Sequence, residues 1–343
     1  MKKTHNSDTT CQAPGSIVED GYTQFSTRYD SETGTIWCWM EPAPRPCINT
    51  TLKDELLLLH RQLVTTYKNP RSDTVWPFRH FILASRIPGI YNLGGDLSLF
   101  RQYIVNRKEK ALRDYAHKCI ELLHNNINNL ELPITTVSLV QGQGLGGGFE
   151  MALSCDVIIA ERSSQMGFPE IIFNLFPGMG AYNLLTRRVG SALAERIILS
   201  GNTYSGSELF DMGIVDVLAE DGEGVEATED YLKSQNQSHN TIRSIKKIRQ
   251  IVHPITRQSL LDIVDIWVEA AMDLNEKDLA KMGRLLYLQK IAKDSKALKA
   301  QSSNTVMRRA DWRKINNVSF PLKTHLGETV IHDRRKRDRR SEE

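Results

Sequence analysis

Long apolar runs are missing from this chain. No stretch approaches the ~18–20 apolar residues of a membrane-spanning helix, so a helical integral membrane protein is excluded. The segment Met1 to Gly15 is polar and lacks the apolar core of a secretory signal, and the expected location is cytoplasmic. Cysteine is scarce: Cys11, Cys38, Cys47, Cys119 and Cys155 are odd in number, widely spaced and form no C-x-x-C pair. This argues against a disulfide framework and against structural zinc. The nine histidines show no H-E-x-x-H or other ligand spacing, and His117 and His124 have no third ligand nearby, so no metal is expected. A G-x-S-x-G nucleophile elbow is absent as well. So is a surplus of one charge. The net charge is +3, and Asp333 to Glu343 alone carry six Lys/Arg against four Asp/Glu. The remainder is too balanced for a phosphate-tracking surface, and no nucleic-acid partner is expected.

What is present suffices for a large buried core, since 40% of residues are hydrophobic and only 25% charged, which excludes global disorder. The pattern predicts a flexible segment over 1–20 and a core over 21–240. A helical C-terminal subdomain over 241–305 and a mobile basic tail over 306–343 complete the chain. Strand-like stretches at Thr23 to Phe25 and Thr35 to Met40 flank a turn at Asp30 to Gly34. Asn49 to Thr51 can cap a helix reaching Tyr67. A buried strand, His80 to Ser85, precedes a glycine-rich loop and one long amphipathic helix carrying Phe100, Ile104, Leu112, Tyr115, Cys119 and Leu123. Further strands are expected at Ile134 to Val140, Val157 to Ala160, Met166 to Phe168 and Ile214 to Leu218, alternating with helices. This alternation predicts an α/β fold of repeated β-turn-α units. Apolar stripes beyond Thr241, including Leu260, Val264, Trp267, Met282 and Leu285, predict helices that pack on a core or another subunit.

Two glycine loops carry the chemical signal. Gly94-Gly95-Asp96 and Gly146-Gly147-Gly148 each follow a strand and open a helix, where backbone N–H groups are unpaired and a partial positive charge gathers. Two such ends facing each other would place two donors on one oxygen. Gly142, Gly144 and Gly147 also spell G-x-G-x-x-G, with Glu161 near the place of a ribose-binding acid. The following helix has room for only about two turns, which disfavours a dinucleotide site. Glu150 lies in the first turn after the second glycine loop, and Glu170 sits among Phe168, Ile171, Ile172 and Phe173. Carboxyls in apolar company hold protons to higher pH and suit acid–base work.

Gly94-Gly95-Asp96-Leu97, Gly146-Gly147-Gly148-Phe149-Glu150, Cys155-Asp156, Phe168-Pro169-Glu170, Pro177-Gly178-Met179-Gly180 and Leu199-Ser200-Gly201 resemble, in order, the crotonase (enoyl-CoA hydratase/isomerase) superfamily. The resemblance covers roughly residues 35 to 300. It implies an α/β crotonase-type spiral of repeated ββα units with a helical C-terminal subdomain, assembled as trimers or hexamers, and no cofactor. Within that superfamily, Pro44-Arg45-Pro46-Cys47, Leu83-Ala84-Ser85, Pro88-Gly89 and Tyr91 to Leu97 look like the diffusible signal factor synthases of bacterial quorum sensing. That branch implies a 3-hydroxyacyl substrate on acyl carrier protein, with the Gly95 and Gly147 amides holding the thioester oxygen. Glu150 and Glu170 would divide the proton transfers between them, in an order the residues leave open. Trp267 and Leu285 are implied as walls of the acyl pocket, and a sensor-kinase receiver domain as a regulator; Cys155, just past the glycine helix and without a plausible histidine partner, reads as a core thiol. Arg162, Arg187 and Arg188 are available to an acidic carrier. An enoyl-CoA hydratase or isomerase acting on coenzyme A thioesters is the first alternative. A non-catalytic crotonase-like binding protein is the second.

Overall fold

The computed structural model describes residues 21–68, 78–235 and 239–299. The expected segments 1–20 and 306–343 lie outside the described residues. Elements through residue 296 form one unit, and of a second, 297–343, only the end of the last helix is described.

Strands β1 (Phe25–Asp30) and β2 (Thr35–Met40) form an antiparallel hairpin, its turn tied by the Glu32 amide donating to Asp30 Oδ1 at 2.9 Å. Helix α1 (Thr50–Lys68) starts where Asn49 Oδ1 accepts from the Leu52 amide at 2.8 Å, and it buries Leu52, Leu56, Leu59 and Leu63. Strand β3 (His80–Ser85) then runs parallel to β2, and β4 (Ile90–Asn92) leaves for a second sheet.

The single long helix expected through Phe100 and Leu123 is in fact two, α2 (Leu97–Val105) and α3 (Glu109–Ile127). Arg107, at a left-handed φ of 52°, breaks them apart. Ile104 and Leu112, eight residues apart, stay on the buried side across the break, so apolar spacing gives no sign of it.

The chain continues through β5 (Thr135–Val140), β6 (Gln143–Leu145), α4 (Gly147–Leu153), β7 (Val157–Glu161), β8 (Gln165–Gly167) and a 3-10 turn, Glu170–Phe173. Next come α5 (Ala181–Val189), α6 (Ser191–Ser200), β9 (Thr203–Ser205), α7 (Gly206–Asp211), β10 (Val217–Ala219) and α8 (Gly224–Gln235). Helices α9 (His239–Val252), α10 (Arg257–Met272) and α11 (Glu276–Lys299) follow. β10 starts later than expected because the Ile214 and Val215 amides close α7 on the Leu209 carbonyl.

One sheet has the order β1-β2-β3-β5-β7-β10, the other β4-β6-β8-β9. Successive pairs β3/β4, β5/β6 and β7/β8 each send the first strand to the large sheet and the second to the small one, with helices between. This is the α/β spiral of ββα turns. Within the large sheet, Trp37, Ile82, Val137, Leu139, Val157 and Ile159 share one core cluster with Leu232 of α8. Ser138, on the opposite face, donates to the Ala152 carbonyl of α4 at 3.2 Å. The sheet is therefore covered by helices on both faces, as parallel sheets require.

Candidate active site

Strands β4, β6 and β8 are parallel neighbours. Gly94-Gly95 follows β4, Gly146-Gly147 follows β6, and Glu170 lies three residues beyond β8. All three segments therefore leave the carboxyl edge of one small sheet, the usual place for a ligand in a parallel arrangement.

The two glycine loops touch. A Cβ built on Gly94 would lie 3.0 Å from the Gly147 amide nitrogen, and one built on Gly147 would lie 3.4 Å from that of Gly95. Neither the Gly95 nor the Gly147 amide donates a hydrogen bond among the described residues. The first loop is secured at its next residue. Asp96 caps α2 through the Ser98 and Leu99 amides, and Arg45 Nη2 donates to both its carboxylate oxygens at 2.6 and 2.7 Å. Arg45 thereby clamps the loop that carries Gly95.

Glu150 is 1% exposed, in the first turn of α4. Its Oε1 accepts the Met179 amide at 2.7 Å and the Ala181 amide at 3.0 Å. Burial pushes its pKa up to about 7, and the two amides pull against that rise. Glu170 is half-buried, but its Oε2 is sealed from solvent and has no partner among the described residues. Burial, joined by repulsion from Glu150, pushes its pKa up to about 8. The carboxylate lies against Gly146, where a Cβ would fall 2.3 Å from Glu170 Oε1, and the φ of +52° there independently calls for glycine. Glu150 and Glu170 are thus brought together with the two amide-bearing loops.

This arrangement suits acid–base chemistry next to a carbonyl oxygen. The profile of the enoyl-CoA hydratase/isomerase family matches residues 45–315. The chain belongs to that family. Among similar sequences, rat (Rattus norvegicus) methylglutaconyl-CoA hydratase is 35% identical over 153 residues, which are 43% of this chain and 44% of that protein. Enoyl-CoA isomerase/hydratase fer4 of Mycosarcoma maydis is 31% identical over 179 residues, 52% of this chain and 62% of its own length. The chain therefore spans less than two thirds of these relatives. Among solved structures, enoyl-CoA hydratase from Bacillus halodurans superposes with a TM-score of 0.62 at 19% identity, covering 76% of this chain and 98% of that one. Pseudomonas aeruginosa DspI gives 0.56 at 21% identity, with 74% and 98% covered. These distant likenesses support the fold of the family.

Other expected residues are distributed less evenly around this candidate site. Trp267 of α10 reaches it: its ring would meet a Cβ on Gly178 at 2.4 Å and packs edge-to-face on Phe100, 5.2 Å between centroids. Phe100 in turn sits directly behind Gly95. Leu285 is buried on α11. Cys155 is a core thiol, buried and pushed up to about 12 by desolvation. Glu161 is not a ribose ligand. Its Oε1 accepts from Gln141 at 2.7 Å and from the Gly224 amide at 3.3 Å. Arg162 and Arg188 are paired with Glu220 and Asp216, whereas Arg187 is lowered to about 10 by burial and by Arg249 and Arg188. No described helix is long and apolar enough to cross a membrane.

The amides of Met179 and Ala181, which hold Glu150, are not among the site groups expected from sequence. The signal for them is Pro177-Gly178-Met179-Gly180 in front of a helix, a further amide-rich helix start.

Proposed function

We propose that this protein is a diffusible signal factor synthase. It dehydrates a 3-hydroxyacyl thioester on acyl carrier protein to the cis-2-enoyl thioester, then hydrolyses that thioester to release the free acid. The observation that carries the thioester chemistry is the pair of carboxyls with pKa values pushed up to about 7 and 8 beside two undonated amides. The stretch Tyr91 to Leu97, with its resemblance to the synthase branch, supports the choice within the family.

The environments divide the roles. Glu150 accepts two backbone N–H bonds, which favour its ionised form, so it takes the C2 proton as base. The electron pair moves onto the thioester oxygen, held by the Gly95 and Gly147 amides. Glu170, with the higher pKa and an unpartnered oxygen, gives its proton to the C3 hydroxyl, which leaves as water while the enolate collapses to the alkene. Glu150 then carries a proton and Glu170 a charge. In hydrolysis, Glu170 draws a proton from water as that water attacks the thioester carbon. The tetrahedral oxyanion sits on the same two amides, and the departing thiolate takes the proton from Glu150. Both glutamates return to their starting states. Each amide donor is worth about 3–4 kcal/mol in the transition state.

Mass spectrometry of the fatty acids released by cells expressing the wild type, Glu150→Gln or Glu170→Gln tests the proposal. We expect a cis-2-unsaturated acid from the wild type and none from either variant. Reversible hydration of an enoyl-coenzyme A ester with no free acid released would replace this reading with that of a hydratase, which the relatives' names favour.

A further inference from the structure

Asn92 lies at the C-terminal end of β4 and is fully buried, yet the chemistry above makes no use of it. Its Oδ1 accepts the Gly94 amide at 2.9 Å, the only side-chain hydrogen bond it makes among the described residues. Its Nδ2 is sealed from solvent and unpaired. A buried amide with idle donors is costly compared with an apolar side chain of the same size, so its acceptor oxygen must justify its presence.

That acceptor acts on the backbone that aims a catalytic donor. Gly94 is held at a φ of +87°, a left-handed turn closed by the bond to Asn92. The next peptide unit joins the Gly94 carbonyl to the Gly95 N–H, and the Ile48 amide donates to that carbonyl at 2.7 Å. A peptide unit is planar and trans, so a carbonyl turned to Ile48 turns the Gly95 N–H to the opposite side. Asn92 sets the rotation of Gly94, and Ile48 sets the plane that follows. Asn92 also borders the other loop: a Cβ on Gly148 would fall 2.1 Å from the Asn92 carbonyl oxygen. One residue therefore sits where both amide-bearing loops meet.

We propose that Asn92 is a positioning residue for the oxyanion donors: its side-chain oxygen holds Gly94 so that the Gly95 N–H points at the thioester oxygen. This rests on the reading of Gly95 and Gly147 as donors to that oxygen. The test compares Asn92→Leu, which keeps the branching at Cγ and loses the acceptor, with Asn92→Asp, which keeps the acceptor and loses the idle amide. With whichever thioester the wild type turns over, N92L should lower kcat by about tenfold to a hundredfold, as a misaimed donor does, and leave KM near the wild-type value. N92D should restore most of the lost kcat.

A second measurement does not depend on turnover. In a Glu150→Gln, Glu170→Gln background, binding should shift the thioester carbonyl stretch of dodecanoyl-coenzyme A to lower frequency. The N92L change should shrink that shift and N92D should preserve it. Equal kcat in N92L and wild type, or equal losses in N92L and N92D with folded protein, would overturn the proposal. If N92L fails to fold, N92D decides: a folded N92D without the carbonyl shift overturns it. A wild type that turns over no thioester would refute the proposed function, while the carbonyl shift would still judge Asn92.

Discussion

At the scale of single residues, the site depends on two carboxyls kept away from water. For both, folding raises the pKa above that of an exposed glutamate, to about 7 for Glu150 and about 8 for Glu170. The folded protein thus binds more protons than the unfolded chain between roughly pH 4.5 and 8, and stability falls as pH rises through that window. Removing the charge should reverse the trend. Glu170→Gln is expected to raise the melting temperature at pH 8 by about 2–4 °C, the equivalent of ~1 kcal/mol in a domain of this size, with the gain shrinking toward pH 5. Thermal melts of both proteins across that range check it, and a gain independent of pH would contradict the buried-charge account. On the proposed mechanism, the same pair sets the catalytic pH range. With Glu150 as base and Glu170 as acid, dehydration should rise through about pH 7 and fall above about pH 8, a narrow bell that belongs to the coupled pair. A rate that climbs steadily to pH 10 would exclude Glu170 as the acid.

At the scale of elements, the first turn of α4 and the loop before α5 depend on α10. Trp267 presses on Gly178, and Leu260 would meet a Cβ on Gly180 at 2.7 Å, so α10 backs the loop whose amides hold Glu150. α10 is itself fastened to α3, where Asp265 meets Arg113 and lies 3.0 Å from His117 Nε2. Trp267→Ala should therefore cost about 3–5 kcal/mol, typical of a large aromatic removed from a core, and lower kcat along with any change in chain-length preference. Denaturant unfolding and turnover of acyl thioesters of graded length measure both effects; an unchanged stability would place Trp267 outside this brace. Elements with strong local patterns were legible from sequence: β2 and the turn before it, α1 with its Asn49 cap, β3 and β5, whereas the first strand, expected at Thr23 to Phe25, runs from Phe25 to Asp30 as the partner of β2. Those set by distant partners were not. β4 and β9 are three residues long and become strands only by pairing with β6 and β8. The α2–α3 break hides under an uninterrupted apolar stripe. The candidate acids and glycine loops could be read from chemistry and order along the chain. The role of the Met179 and Ala181 amides could not, because Pro177-Gly178-Met179-Gly180 marks an amide-rich helix start without saying which carboxyl its donors meet.

At the scale of the whole molecule, the spiral explains why residues as far apart as Gly95 and Glu170 share a site, and among the described residues it leaves one helix face without cover. α9 is attached by its polar side. Lys246 reaches Asp156 at 2.6 Å and Thr135 at 2.8 Å, both partly withdrawn from solvent. Its apolar side points away: Ile245 and Ile248 are each 52% exposed, Ile251 79% and Val252 60%. A helix that turns charge inward and branched aliphatics outward reverses the usual order for a monomer, and an apolar stripe of this kind commonly marks a contact between proteins. Assembly of copies is what the crotonase resemblance implies, and α9 is the surface on which we expect it. Light scattering should give the wild type a mass several times the 39.0 kDa of the chain. Ile245→Glu combined with Ile248→Glu should lower that mass while the Lys246–Asp156 attachment keeps α9 folded in place. If the charged variant keeps the wild-type mass, the contact lies on another face; if the wild type is itself a monomer, the exposed stripe requires a different occupant.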